Sequence, residues 1–183
     1  MAYRRYETAL PGVWIIEADV FGDPRGYFTE LYNQQEFEKI GLGHLRFVQD
    51  NLSFSTYGTL RGLHYQRPPF SQGKLISPLR GKVLDVALDL RKDSPAYGQH
   101  LAVELTAGEG KMLYVPEGLA HGFQVLSEDC IFFYKCTGYY HKASDAGIAW
   151  DDPALAIPWR EIPPVLSDKD LHHPLLSDLD SPF

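Results

Sequence analysis

The chain has 183 residues, with 24 Asp and Glu against 17 Lys and Arg and a formal net charge of −7. That length suits one domain over residues 1–183 and argues against a second independent core. The acidic balance excludes a broad nucleic-acid-binding surface, which needs clustered Lys and Arg, although a few cations in one pocket can still hold an anion.

In chain order, Met1-Ala2-Tyr3-Arg4-Arg5 has no apolar stretch behind it, so no signal peptide is expected. No apolar run approaches transmembrane length, so a cytoplasmic protein without a membrane partner is expected. Gly12–Val20 and Tyr27–Asn33 read as strands. Asn33 suits the N-cap of a helix over Gln34–Ile40, with Gly41 at its left-handed exit. Further strands are expected over Arg46–Ser55, Thr59–Gln66, Lys74–Leu79, Gly81–Leu90, Gly98–Leu105, Lys111–Val115, Gly122–Leu126 and Ile131–Tyr139. Cys130 and Cys136 share the last of these, ~20 Å apart when extended; they cannot bridge each other and read as reduced thiols. From Ala149 onward, Pro153, Pro158, Pro163, Pro164 and Pro174 forbid a continued ladder, so this segment should wrap the rest as loops and short helical turns. Many short antiparallel strands with regular turn signals imply a sandwich, jelly roll or barrel.

Two segments carry chemistry. The first is Leu60-Arg61-Gly62-Leu63-His64-Tyr65-Gln66, followed by Gln72-Gly73-Lys74-Leu75. A histidine between two fixed cations is costly to protonate, which suits a neutral imidazole base. The competing reading is a basic loop with a surface histidine. In a regular strand Arg61 and His64 face opposite ways, so a shared pocket needs the strand to start late or to bulge at Gly62. The second segment, Gly110 through Pro116-Glu117-Gly118-Leu119-Ala120-His121-Gly122-Phe123, matches the second cupin motif. Its Pro and Gly make a tight turn, and His121 starts the returning strand with its ring inward. In metal cupins this histidine has partners in a His-x-His motif and a downstream Glu. Here those places read His64-Tyr65-Gln66 and Lys74, a poor ligand and a cation, so no metal and no other cofactor is expected.

These blocks resemble the dTDP-4-dehydrorhamnose 3,5-epimerase family nearly end to end. The likeness also covers Asp23-Pro24-Arg25-Gly26, Gln49-Asp50-Asn51, Asp89-Leu90-Arg91, Tyr134-Lys135, Gly147-Ile148-Ala149-Trp150 and Leu166-Ser167-Asp168-Lys169-Asp170. The resemblance implies an all-β cupin jelly-roll barrel of antiparallel strands, with one short helix and a C-terminal wrapping segment. It implies epimerisation at C3 and C5 of dTDP-4-dehydro-6-deoxy-D-glucose through an enolate. His64 resembles the base, Lys74 the enolate-stabilising cation and Tyr134 the acid on the other face. Strand alternation puts Tyr134 beside Phe132 and both cysteines on an apolar face, where its phenol should stay protonated. Asp170 resembles the carboxylate that orients His64, although Asp85 and Asp89 share a strand face and could also reach it.

For binding, the resemblance implies contacts to nucleotide and sugar from Arg25, Glu30, Gln49, Asn51, Arg61, His121, Asp145 and Lys169, with Tyr140 stacked on thymine. Arginine suits a diphosphate through its planar fork. The family usually has Glu where Asp145 stands, a shorter reach here. A homodimer with exchanged N-terminal strands is also implied, which would cover an open sheet edge. An epimerase acting at one carbon only would share all these residues, whereas a non-catalytic sugar-nucleotide-binding cupin would be expected to lack the base, the cation or the acid, and His64, Lys74 and Tyr134 are all present.

Overall fold

A computed structural model describes residues 2–183. Among them the strands are β1 (Tyr3–Glu7), β2 (Trp14–Ala18), β3 (Val20–Asp23), β4 (Gly26–Thr29), β5 (Gln49–Thr56), β6 (Leu60–Gln66) and β7 (Lys74–Arg80). The chain continues through β8 (Lys82–Asp89), β9 (His100–Thr106), β10 (Lys111–Val115), β11 (Leu119–Val125), β12 (Asp129–Cys136) and β13 (Asp145–Gly147). The helix, α1, runs from Gln34 to Lys39, and the Asn33 side chain accepts from the amides of Gln35 and Glu36. Its end comes one residue earlier than the sequence implies, because Ile40 has left helical geometry and Gly41 turns at φ +80°.

Two antiparallel sheets face each other, in strand orders β1-β2-β10-β7-β12-β5 and β13-β6-β11-β8-β9, with β3–β4 a separate hairpin. This is the cupin jelly-roll barrel expected. Its core lies between the sheets, where Val83, Ala87, Leu105, Phe123 and Val125 meet Ile76, Leu113, Val115 and Phe132. Phe123 and Phe132 stack at 3.9 Å between ring centroids, one from each sheet.

Both sheets are also covered outside, so β8 and β11 are buried along almost their whole length. The proline-rich segment packs Ile148, Leu155, Ile157, Trp159, Leu176 and Phe183 over Leu63, Leu84, Val86 and Leu88. On the other side, Phe37 of α1 packs with Leu42, Leu45, Ile16 and Met112. The expected wrapping segment is therefore a second apolar layer. It adds one parallel bridge, Thr59 to Val165, and short 3-10 turns at Asp170–His172 and Leu176–Asp178.

Several local readings change: the strand expected over Tyr27–Asn33 stops at Thr29, and the one over Arg46–Ser55 starts at Gln49. The stretch Gly12–Val20 is broken after Ala18, where β2 ends and the β3–β4 hairpin begins. The β11 strand starts at Leu119, so His121 is its third residue rather than its first. Finally, β12 stops at Cys136, and residues 137–140 leave the ladder toward the cleft described next.

Candidate active site

At one end of the barrel lies a cleft of about 340 Å³ lined by Gln49, Asn51, His64, Tyr65, Gln66, Gln72, Lys74, Tyr134, Tyr140, Asp145 and Lys169. His64 projects from β6 in one sheet, while Lys74 and Tyr134 come from β7 and β12, neighbours in the other. The Lys74 ammonium stands 6.0 Å from the Tyr134 ring centroid. The strand alternation read from β12 holds: Cys130, Phe132 and Cys136 are buried, with Tyr134 packed on their cluster. Burial pushes the Tyr134 phenol up to about 12, so it carries its proton at neutral pH. Burial also pushes the Lys74 ammonium down, partly countered by Cys136 and Asp85. Among the described residues no carboxylate pairs with Lys74.

Behind His64 sits Asp170, brought back across 106 residues, with Oδ1 2.5 Å from His64 Nε2. A carboxylate only accepts, so Nε2 carries a proton, and in the neutral ring Nδ1 keeps its lone pair. Asp170 is nearly fully buried. Burial draws its pKa upward, but bonds from His64 and Ser167 win and hold it at about 2. The Ser167 hydroxyl donates to Oδ2 at 2.6 Å, and the Asp170 amide faces Ser167 Oγ at 3.3 Å. The other two candidate partners are engaged elsewhere. Asp85 contacts His121 Nε2 through both oxygens, at 2.9 and 3.0 Å, and Asp89 binds Arg91 and Ser94.

The bulge expected near Gly62 is present: between the pairs His64–His121 and Arg61–Phe123, β6 spends three residue steps against two on β11. Gly62 has φ +125°, and a Cβ there would lie 2.5 Å from the Cα of Gly122, so only glycine fits. The bulge does not bring Arg61 into the cleft. Its guanidinium reaches Ser55 Oγ at 3.2 Å and lines a neighbouring groove with Ser167 and Asp170. The idea of His64 flanked by two cations is thus corrected: a carboxylate, Asp170, stands against it, and Lys74 faces it from the other sheet.

Of the expected binding residues, Gln49, Asn51, Tyr140, Asp145 and Lys169 line the cleft. They form one network. The Tyr140 amide donates to Gln49 Oε1 at 2.9 Å, the Tyr140 hydroxyl faces Asp145 Oδ2 at 3.3 Å, and Lys169 pairs with Asp145. His121 does not reach the cleft; it is buried behind it, and burial lowers its pKa. Arg25 and Glu30 also lie outside: Arg25 is exposed at the β3–β4 turn and pairs with Asp23, and Glu30 receives the Tyr3 hydroxyl. Gln66, standing where a cupin metal ligand would be, is held by the His141 amide at 2.9 Å and by Asp145 at 3.3 Å. With a cation at Lys74, that position does not fit a metal.

Sequence reading missed Gln72, Ser167 and His173. Ser167 had a signal, the Ser-x-x-Asp spacing that favours reciprocal capping at a turn. Gln72 lay in a quoted block and donates to the Gly138 carbonyl at 2.7 Å, anchoring the chain that leaves β12.

Two facing antiparallel sheets around one core, with ionisable groups gathered in one cleft, define a cupin-like fold. Comparison with known proteins narrows this. A family model described as dTDP-4-dehydrorhamnose 3,5-epimerase matches residues 7–178. The dTDP-4-dehydrorhamnose 3,5-epimerase of Shigella flexneri is 47% identical over 174 residues, 95% of this chain and 96% of that one. That of Salmonella typhimurium is 50% identical over 171 residues, 93% of each chain. The dTDP-6-deoxy-D-glucose-3,5-epimerase of Legionella pneumophila, crystallised with dTDP-4-keto-L-rhamnose, superposes with a TM-score of 0.92. It is 45% identical, over 97% of this chain and 95% of that one. A more distant relative, the dTDP-4-dehydrorhamnose 3-epimerase of Streptomyces niveus, is 37% identical over 169 residues, 92% of this chain and 82% of that one. The chain belongs to the dTDP-4-dehydrorhamnose 3,5-epimerase family.

Proposed function

We propose that this protein converts dTDP-4-dehydro-6-deoxy-D-glucose to dTDP-4-dehydro-L-rhamnose by inverting C3 and C5, in dTDP-L-rhamnose biosynthesis. The observation that carries the reading is the placement of His64 on one sheet and Tyr134 on the other, with Lys74 beside Tyr134. Inversion needs a proton removed from one face and returned to the opposite one. His64 Nδ1 takes the proton next to the C4 ketone, and Asp170 stabilises the imidazolium that forms. Lys74 meets the charge that develops on the enolate oxygen. Tyr134 delivers its proton from the far side. Gln49, Asn51, Tyr140, Asp145 and Lys169 hold the nucleotide and sugar. Incubation with dTDP-4-keto-6-deoxyglucose in deuterium oxide tests the reading. Two deuterons per product support it, and one assigns the chain to the single-carbon reaction that names the Streptomyces niveus relative. None makes it a non-catalytic binder.

The acting form of Lys74 is the ammonium, present below its pKa and lost as pH rises through it. Burial lowers that pKa, so turnover is expected to fall on the alkaline side below pH 10.5, an ordinary lysine's value. Lys74→Arg should shift that limb upward. A limb that stays put in the arginine variant would assign it to another group.

Metal is not part of this chemistry. Chelator treatment is expected to leave exchange at C3 and C5 undiminished; loss that zinc, iron or manganese restores would overturn this.

Arg25 and Glu30 acquire a role if the protein is a homodimer. The β3–β4 hairpin exposes Phe21, Tyr27 and Phe28, and the edge strand β5 exposes Leu52 and Phe54. Exchange of the hairpin across a two-fold axis covers these rings and carries Arg25 to the partner's cleft. Sedimentation equilibrium should give twice the 20.7 kDa chain mass; a monomer at micromolar concentration would rule this out.

A further inference from the structure

His173 is the ionisable group near the cleft that the acid–base reading leaves unused. Its side chain is only 10% exposed, and its Nε2 stands 4.0 Å from Asp170 Oδ1. That nitrogen is buried and has no hydrogen-bond partner, an arrangement that costs free energy unless something fills it. The backbone makes room for the ring. A Cβ on residue 147 would lie 2.5 Å from His173 Nε2, so the slot exists because that residue is glycine. The ring meets His64 edge-on, 5.4 Å between centroids.

Three donors therefore converge: His64, Asp170 and His173 each place one ligand atom within 4.8 Å of the others'. We propose that they form a binding site for a divalent transition-metal ion such as zinc, and that filling it silences the base. Two imidazoles and one carboxylate make a three-ligand set that leaves a fourth position open. Bonds of ~2.0–2.2 Å place donors about 3.3 Å apart around a tetrahedral ion. The present separations, 2.5 Å from His64 to Asp170 and 4.0 Å from Asp170 to His173, bracket that value. His173 lines a second cleft, with His172, Asp168 and Arg67, which adjoins the first at Tyr65, Asp145 and Lys169. The charge of Lys169 is met by Asp145 and does not face the site alone.

The consequence follows from the tautomer. Today Nε2 of His64 holds the proton that faces Asp170, and Nδ1 keeps the lone pair. When Nε2 gives its lone pair to the ion, the ring proton moves to Nδ1 and no proton is gained or lost overall. The nitrogen facing the substrate then has nothing to accept a proton with. This site is distinct from the cupin metal position, where Gln66 and Lys74 stand. The inhibitory half rests on His64 being the base; the binding half rests on the donor set alone.

The test uses the full chain and zinc chloride. Bound zinc is read without substrate, by competition with a chromophoric chelator, and cobalt is substituted to record its visible spectrum. Variants are His173→Phe, which keeps the ring's shape, His173→Asn, and His172→Ala as a control on the exposed neighbour, each checked by circular dichroism. One ion per chain is expected. Its affinity should drop in both His173 variants by more than the ~10-fold typical of losing even an outer partner, and stay unchanged in His172→Ala. Deuterium exchange in the parent should fall in step with zinc occupancy, and His173→Phe should resist the same zinc. Binding that ignores His173, binding lost in His172→Ala, or full occupancy with undiminished exchange would each overturn the proposal. A parent that exchanges no deuterium even without zinc would instead sink the epimerase reading, and the chelator competition would still judge the site.

Discussion

His64→Asn is expected to lower deuterium exchange at both C3 and C5 by ~10²–10⁴, the scale of a lost general base, while dTDP still binds. One imidazole faces the cleft from the β6 sheet, with its other nitrogen fixed by Asp170 at 2.5 Å. The residues proposed to hold the nucleotide are on other elements: Tyr140 and Asp145 after β12, Lys169 in the C-terminal segment, and Gln49 and Asn51 on β5. Asparagine keeps a polar group but ends short of the Nε2 position, and Asp170 retains the Ser167 hydroxyl as a donor. Exchange is read by mass and NMR of recovered sugar, and dTDP affinity by calorimetry. Asp85 is an improbable substitute because it is fully buried and held by His121. Exchange within a few-fold of the parent would remove His64 from the role of base.

Tyr134→Phe should separate the two halves of the reaction. The variant keeps the ring beside Phe132, 6.0 Å between centroids, and removes only the hydroxyl. Deprotonation by His64 and enolate stabilisation by Lys74 survive. The enolate then regains a proton mainly from the side that lost it, so deuterium enters without inversion. Inverted product should fall by ~10²–10⁴, the range for a lost general acid, while exchange at one or both carbons continues. Water admitted by the missing hydroxyl would soften the loss. Inversion at the parent rate would make Tyr134 barrel filling and send the search for the acid elsewhere.

Much of this was legible in the residues. Asn33 and Gly41 bracketed α1 because caps are local chemistry, and period-two alternation put Tyr134 on the inner face of β12. The bulge at Gly62 followed from the wish to place Arg61 and His64 together. Yet the arginine went to Ser55, because a bulge alters a strand's phase without choosing where a long side chain ends. Long-range pairing was less readable. Residue types alone left Asp85, Asp89 and Asp170 equal, and each turned out to have its own partner once the barrel closed. β1 and β13 were missed. One carries Tyr-Arg-Arg-Tyr-Glu and the other spans only Asp145–Gly147, so neither shows an apolar pattern; both are strands because a neighbour offers them an edge. His173 had no signal at all, since its meaning depends on a glycine 26 positions earlier that leaves space for its ring.

The pairing of His64 with Asp170 also ties the imidazole to a part of the chain that lies outside the barrel. The barrel's own ladders already join distant residues, Trp14 with Tyr114 and Asp50 with Lys135, so its closure needs most of the chain. The carboxylate behind His64 comes instead from the outer layer, which packs on Leu63 and Leu84. The aim of the imidazole thus rests on the docking of a segment that lines the cleft only through Lys169.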